Sequence, residues 1–142
     1  MARNVRPLGG PKLSELEWEI MKPFWESGAM AARDLYARVG EQRRWSYKTV
    51  KTMLARLVQK GALKYEQIGN SYLYEAAYDR DVMTRAAASS FVERVFDGAL
   101  TPFLAFFAER ATPEELAVIR QELKRIESKQ ERKVGKRNVQ SD

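Results

Sequence analysis

WSYKTVKTMLARLVQKGALKYEQIGNSYLY, residues 45–74, is the stretch that decides the fold of this chain. Ser46 is a suitable N-cap for a helix, and Gly61 stands where that helix would end. Between them, large apolar residues recur at spacings of three and four, which predicts a helix with one apolar face: Val50, Met53, Leu54, Leu57 and Val58. A short hairpin-like segment follows at once. This order predicts a winged helix-turn-helix.

The opposite face of the predicted helix is basic and rich in hydrogen-bonding groups. At about 100° per residue, Lys48, Thr52 and Arg56 fall opposite the apolar face. Thr49 and Lys51 lie on its flanks. The exposed face therefore suits a polyanionic partner.

The segment after Gly61 has the pattern of a small β-ribbon, the wing. Residues 63–68 and 72–76 alternate aromatic and polar side chains, and Gly69-Asn70-Ser71 between them is a turn signal. The rings of Tyr65, Tyr72 and Tyr74 could stack on bases or pack on the helices beneath, and packing is the favoured interpretation for so small a ribbon. Lys64, Asn70 and Ser71 are the wing groups available to a phosphate.

The positive charge is concentrated in the same region. The chain carries a net charge of +6, and residues 33–68 hold nine basic against three acidic side chains. A solvated basic face is the alternative, but clustering on a helix shaped for a groove favours nucleic acid. The predicted DNA-binding residues are Ser46, Lys48, Thr49, Lys51, Thr52 and Arg56 of the helix with Asn70 and Ser71 of the wing.

Composition argues against catalysis. The 142 residues include no cysteine and no histidine, which removes disulfides, thiolate metal sites and the commonest general base. We expect no catalytic residues, no metal and no cofactor. No apolar run approaches the roughly 18 residues of a membrane span, and the N-terminal segment lacks the apolar stretch of a secretory signal. These features predict a cytoplasmic protein with no direct membrane insertion.

Two further helices are predicted before residue 45. Ser14 and Glu17 have capping-box spacing, and Gly28 is a suitable terminator, with Pro23 expected to kink the last turn or end the helix early. A second, short helix is predicted from Ala31 to Val39, with residues 41–44 as a polar connection. The winged domain should therefore span residues 13–78, after a flexible arm of residues 1–12.

Residues 79–128, in the remaining part of the chain, are predicted to form a helical dimerisation domain. Residues 99–108 are densely apolar, and Thr112-Pro113-Glu114-Glu115 is another capping box. Burial against a second copy is favoured over packing on the winged helix. A predicted dimer seam has the spacing 3, 4 and 3 and consists of Leu116, Ile119, Leu123 and Ile126. The other predicted dimerisation residues are Val95, Phe103 and Leu104. Residues 129–142 are charged and predict a disordered basic tail.

Four segments together resemble one known family. They are LSELEWEIMKPFW, WSYKTVKTMLARLVQKGAL, YLYEA and FVERVFDG. Over about residues 13–128 the chain resembles the penicillinase-repressor family of the BlaI/MecI/CopY type. The resemblance implies a homodimeric winged-helix repressor that binds a palindromic DNA operator and silences genes for antibiotic resistance or metal homeostasis. In the beta-lactam branch, a membrane-bound sensor metalloprotease causes cleavage between the dimerisation helices, and loss of the dimer releases the DNA.

The family's functional positions can be carried over to this chain. Lys48, Thr49, Lys51 and Arg56 resemble the operator-contacting residues; lysine stands at 51 where arginine is common in the family, and it lacks the bidentate fork that reads guanine. FLAFFA aligns with the segment that holds the scissile bond, which would be Phe106-Phe107, although the family's asparagine on the first side is missing. The cysteine pairs of the copper-sensing branch are absent, which argues against that role.

Two alternatives differ from a repressor released by proteolysis. One is a winged-helix regulator released by a small-molecule ligand bound between its domains, for which binding would be lost with the chain intact. The other is a winged-helix module that binds only protein, which the basic recognition face disfavours.

Overall fold

The computed structural model describes residues 10–140, and these form two compact units that divide after Gly98. The first unit holds five α-helices, one π-helical turn and a three-stranded sheet, and the second holds two α-helices. Most of the predicted N-terminal arm, residues 1–9, lies outside the described residues. Within the described part of the chain, no helix is both long enough and apolar enough to cross a membrane.

Helix α1 (Glu15–Ser27) begins and ends where the sequence predicted. The backbone N–H of Glu17 donates to Ser14 Oγ at 3.2 Å, and the N–H of Ser14 donates to Glu17 Oε1 at 2.8 Å, which completes the capping box. Gly28 ends the helix with φ 81°, a conformation that favours glycine. Pro23 does not end the helix early; it lies buried within it.

The segment between α1 and the helix predicted to follow Ser46 is more helical than predicted. Strand β1 (Met30–Ala31) and helix α2 (Ala32–Leu35) lead into a π-helical turn at Tyr36–Gly40, and α3 (Glu41–Arg43) follows it. The residues predicted as a polar connection are therefore helical up to Arg43, and Arg44, at φ 56°, makes the break. The turn brings Gly40 against the Tyr36 ring, so only glycine fits at residue 40, because a Cβ there would overlap that ring.

Helix α4 (Tyr47–Lys60) confirms both ends of the helix predicted between Ser46 and Gly61. Ser46 Oγ accepts from the Thr49 N–H at 3.1 Å, and Gly61 caps the C-terminus with φ 85°. Val50, Leu54 and Leu57 are fully buried, while Met53 and Val58 are half-buried. The apolar face of α4 is thus packed on the core, and its other face lies in solvent.

The wing is an antiparallel ribbon of strands β2 (Leu63–Ile68) and β3 (Ser71–Ala76), joined by the two-residue turn Gly69-Asn70. Strand β1 pairs with β3, which gives the order β1-β3-β2. The core beneath this sheet gathers side chains from α1, α2, α4 and the strands: Ile20, Met21, Phe24, Leu35, Val50, Leu54, Leu57, Leu63 and Tyr74. These contacts fix α4 against α1 and α2.

Helix α5 (Arg80–Phe96) belongs to the first unit, whereas the sequence predicted a boundary after residue 78. Met83 and Val92 of α5 are buried, and Gly10 lies so close to Met83 Sδ that a Cβ there would clash. The Trp25 Nε1 of α1 also donates to the Tyr78 carbonyl at 3.0 Å. The two compact units divide after Gly98, and the buried Met83 and Val92 pack α5 within the first of them.

The second unit consists of α6 (Leu100–Ala108) and α7 (Pro113–Gln140). The predicted capping box at Thr112 is present, since Glu115 N–H donates to Thr112 Oγ1 at 3.1 Å. The structure differs from the predicted disordered tail, because α7 continues through Gln140. Lysine, arginine, glutamate and glutamine are good helix formers, so low hydropathy here does not prevent a helix that α7 has already nucleated.

Candidate nucleic-acid interface

The exposed face of α4 carries the residues that the sequence assigned to DNA. Lys48, Lys51, Thr52 and Arg56 are all exposed, and Thr49 is half-buried. They share one face because the core takes the other, where Val50, Leu54 and Leu57 are buried. The predicted sidedness of the helix is confirmed, while the individual DNA contacts remain predictions.

The hydroxyl groups on this face are partly engaged within the helix. Ser46 Oγ caps α4 and lies 2.9 Å from Thr49 Oγ1, and Thr52 Oγ1 donates to the Lys48 carbonyl at 3.0 Å. The hydroxyl groups of Ser46 and Thr52 therefore form hydrogen bonds within α4 itself. Their oxygen lone pairs still leave room for a donor from a base edge or a water molecule.

Ion pairing divides the cations of the winged helix into two groups. Five of them contact carboxylates at 2.7–3.4 Å: Lys22 with Glu19, Arg38 with Glu26, Arg43 with Glu19, Lys60 with Glu17 and Lys64 with Glu75. Within the described residues, another group of cations around α4 has no carboxylate within 4 Å: Arg33, Arg44, Lys48, Lys51 and Arg56. The positive charge of α4 is therefore available to phosphates.

The wing tip offers a smaller polar surface. Asn70 and Ser71 are exposed at the turn, as predicted, and Gln67 Nε2 donates to the Gly69 carbonyl at 3.2 Å. Lys64, proposed from the sequence as a phosphate contact, instead pairs with Glu75 on the neighbouring strand. The wing therefore contributes neutral donors and acceptors at its tip.

The three wing tyrosines have different environments. Tyr74 is 7% exposed and packs in the core, which confirms the favoured interpretation for that ring, and burial raises the pKa of its hydroxyl. Tyr65 and Tyr72 remain exposed and make an edge-to-face pair with centroids 4.9 Å apart. Their rings support each other across the ribbon rather than lying on the helices.

One ion pair, buried at its Glu17 end, holds the C-terminal end of α4 to the start of α1. Lys60 Nζ lies 2.7 Å from Glu17 Oε1 and 3.3 Å from the Lys12 carbonyl oxygen. Burial alone would raise the pKa of Glu17, but hydrogen bonds from Lys60 and from the Ser14 backbone outweigh it, so the pKa is lowered. The sequence did not reveal this pair, because its members are 43 residues apart.

Sequence reasoning also missed Arg33 and Tyr47. Arg33 Cζ lies 5.4 Å from the centroid of the Tyr47 ring, and Lys51 Nζ lies 5.7 Å from the same centroid. The spacing of Tyr47 and Lys51 is a helical neighbour spacing that could have signalled their contact. Arg33 belongs to α2, and only the tertiary fold brings it to this ring.

Most of the predicted dimerisation residues are apolar and exposed. Val95, Leu104, Ile119, Leu123 and Ile126 are between 42% and 51% exposed, and Phe103 and Leu116 are half-buried. Within the second unit, α6 and α7 line an apolar groove that includes Leu104, Leu116, Ile119 and Leu123. Phe106 and Phe107 lie inside α6, with both rings about half exposed.

A helix that buries one face, presents unpaired cations on the other and is followed by a β-ribbon defines the winged helix-turn-helix class. The family model described as "Penicillinase repressor" matches residues 13–125. The penicillinase repressor of Bacillus licheniformis is 30% identical over 99 residues, which cover 70% of this chain and 77% of that protein. The methicillin resistance regulatory protein MecI of Mammaliicoccus sciuri is 24% identical over 99 residues, covering 70% and 80%.

Among solved structures, the DNA binding domain of the repressor BlaI shares 32% identity over 51% of this chain and 88% of that domain, with a TM-score of 0.47. The family model and the Bacillus licheniformis relative together show that this chain belongs to the penicillinase repressor family. Members of this family are DNA-binding transcriptional repressors. The chain is therefore a repressor rather than an enzyme.

Proposed function

We propose that this protein represses transcription as a homodimer whose two α4 helices occupy successive major grooves of a palindromic operator. The observation that supports the proposal most directly is the exposed face of α4, where Lys48, Lys51 and Arg56 have no carboxylate partner among the described residues. Two identical helices related by a two-fold axis require half-sites about 10 bp apart, or a multiple of that spacing.

Substitutions on α4 test the DNA-binding part of this proposal. Lys48→Ala and Arg56→Ala should each weaken operator binding, by about 1–3 kcal/mol if the side chain reads a base. A side chain that contacts only phosphate should weaken operator and random duplex equally. Arg85→Ala is the matched control, because Arg85 pairs with Asp81 on α5. Affinities of both variants equal to the parent's on both duplexes would exclude α4 from the interface.

The homodimer part rests on the exposed apolar residues of the second unit. In the dimer, Leu123→Asp would place a charge among the apolar side chains of the interface, which costs several kcal/mol unless the dimer dissociates. Val118→Asp is the matched control, because Val118 is 60% exposed on the same helix but lies off the predicted seam. Sedimentation at micromolar concentration should show a monomer for Leu123→Asp and a dimer for Val118→Asp. If Leu123→Asp remained a dimer, the interface would lie elsewhere.

Release of the repressor by proteolysis is the second part of the proposal, with a membrane-bound sensor metalloprotease as the partner that triggers it. A cut between Ala99 and Ala111, with Phe106-Phe107 as one such bond, would separate the winged helix from α7. Each winged helix would then bind its half-site alone, and the gain from linking two domains, about 100-fold or more, would be lost. Because Phe106-Phe107 lies within α6, that helix must open before cleavage.

Mass spectrometry of the protein from induced cells distinguishes proteolysis from the ligand-released alternative. Two fragments that divide within residues 99–111 support proteolysis. A full-length chain in cells that express the target gene favours release by a small-molecule ligand, and the apolar groove between α6 and α7 is one candidate site for it.

A further inference from the structure

Tyr47 is the centre of a cluster that brings two cations to one aromatic ring. Arg33 Cζ and Lys51 Nζ lie 5.4 Å and 5.7 Å from the ring centroid, within the range of cation–π attraction. Tyr36 meets the same ring edge-on, with centroids 5.7 Å apart and an interplanar angle of 77°. The Tyr36 ring is itself placed by its close approach to Gly40. The Tyr47 ring therefore has a defined position between α2 and α4.

The two cations are held together without an acidic partner. No carboxylate of the described residues lies within 4 Å of Arg33 or Lys51. Asp34, the acidic residue next to Arg33, accepts instead from the Ala31 N–H at 3.4 Å. Like charges at one ring repel each other, and an anion bound between them would offset that repulsion through its attraction to both cations.

We propose that Arg33, Tyr47 and Lys51 form a binding site for one phosphate of the DNA backbone. Arg33 and Lys51 supply the charge, and Tyr47 is a positioning residue whose ring holds both cations. Tyr47 is also the first residue of α4, where unpaired backbone N–H groups add to the attraction for a phosphate. The proposal rests on DNA binding by α4 and extends the interface to α2.

Titrations of the full chain with a random duplex of about 24 base pairs test this site, because phosphate contacts do not depend on sequence. Binding is measured at several salt concentrations between about 50 and 200 mM for the parent and the variants Arg33→Gln, Lys51→Gln, Tyr47→Leu and Tyr47→Phe. Arg85→Gln is the control for loss of one charge, since Arg85 pairs with Asp81. Thermal unfolding of each variant shows whether the winged helix is intact.

The salt slope is the change in the logarithm of the binding constant with the logarithm of the salt concentration. Arg33→Gln and Lys51→Gln should each reduce the magnitude of this slope by about 0.9 for each bound copy. Tyr47→Leu removes no charge, yet it should weaken binding about 5- to 20-fold and reduce the slope, because both cations lose their support. Tyr47→Phe keeps the ring and should bind within about 2-fold of the parent. This combination of a lower slope at constant net charge and rescue by phenylalanine would not follow from a purely structural role of Tyr47.

Four results would overturn the proposal. An Arg33→Gln slope equal to that of Arg85→Gln would remove Arg33 from the DNA interface. Equal losses of DNA affinity for Tyr47→Phe and Tyr47→Leu would show that the hydroxyl, and not the ring, supports binding. A parent chain that fails to bind the duplex at low salt would overturn both this site and the proposed function, whereas normal binding by Arg33→Gln and Tyr47→Leu would overturn this site alone.

Discussion

Replacing Lys60 by methionine should destabilise the first unit more than replacing its partner Glu17 by glutamine. The Glu17 side chain is 10% exposed, and its Oε2 is buried without a hydrogen-bond partner in the described part of the chain. The Lys60 side chain is 37% exposed. Lys60→Met therefore leaves a carboxylate away from water, whereas Glu17→Gln leaves an ammonium group that water reaches.

The size of the effect follows from this asymmetry. Removing one partner of a fully buried ion pair destabilises a protein by about 3–5 kcal/mol, and exposed pairs contribute about 0.2–1 kcal/mol. With one end buried and the other open to solvent, Lys60→Met should lower the free energy of unfolding by about 1–3 kcal/mol. For a unit of this size, the melting temperature should fall by about 5–15 °C. Glu17→Gln should cost less, since glutamine can still complete a capping box with Ser14.

The loss of stability caused by Lys60→Met should also depend on pH. The pKa of Glu17 is lowered in the folded parent, so its carboxylate stabilises the fold above its unfolded pKa, and that contribution is lost as pH falls through the folded pKa. Without Lys60, burial opposes the charge and Glu17 takes up a proton more readily. The difference between parent and variant should therefore shrink from pH 7 to pH 4.

Thermal unfolding followed by circular dichroism at pH 7, 5.5 and 4 measures these differences for the parent and both variants. Equal melting temperatures at pH 7 would show that the ion pair contributes nothing. A deficit that grows toward pH 4, or a Glu17→Gln variant less stable than Lys60→Met, would refute the reasoning from burial.

Two further predictions concern residues that shape the recognition helix. Gly40→Ala should destabilise the first unit by about 1–3 kcal/mol, because its Cβ would overlap the Tyr36 ring; in urea unfolding, the control Gly135→Ala, with open space around a helical glycine, should cause no loss. Ser46→Ala should cost about 1 kcal/mol through loss of the cap to the Thr49 N–H, and thermal unfolding should show no matching loss for Ser71→Ala at the exposed wing turn.

The helices whose ends were predicted best are those with side-chain caps. The Ser14 and Glu17 box and the Ser46 cap join residues three apart, so the sequence carries the whole interaction. The two-residue strand β1 has no such local signal, because it exists through pairing with Tyr74 and Leu73 of β3. The extent of α5 in the first unit was missed for the same reason, since the burial of Met83 depends on distant residues.

For the interface, the sequence by itself determined which face of α4 is exposed and basic, because helical periodicity and apolar spacing alone decide which side meets the core. It also determined the wing, since two alternating segments around a Gly-Asn turn can pair locally. Only the tertiary structure decided which cations are neutralised by carboxylates and which remain open. Ion pairs such as Lys60 with Glu17, and the approach of Arg33 to Tyr47, depend on how separate helices pack, and periodicity within one helix carries no information about that.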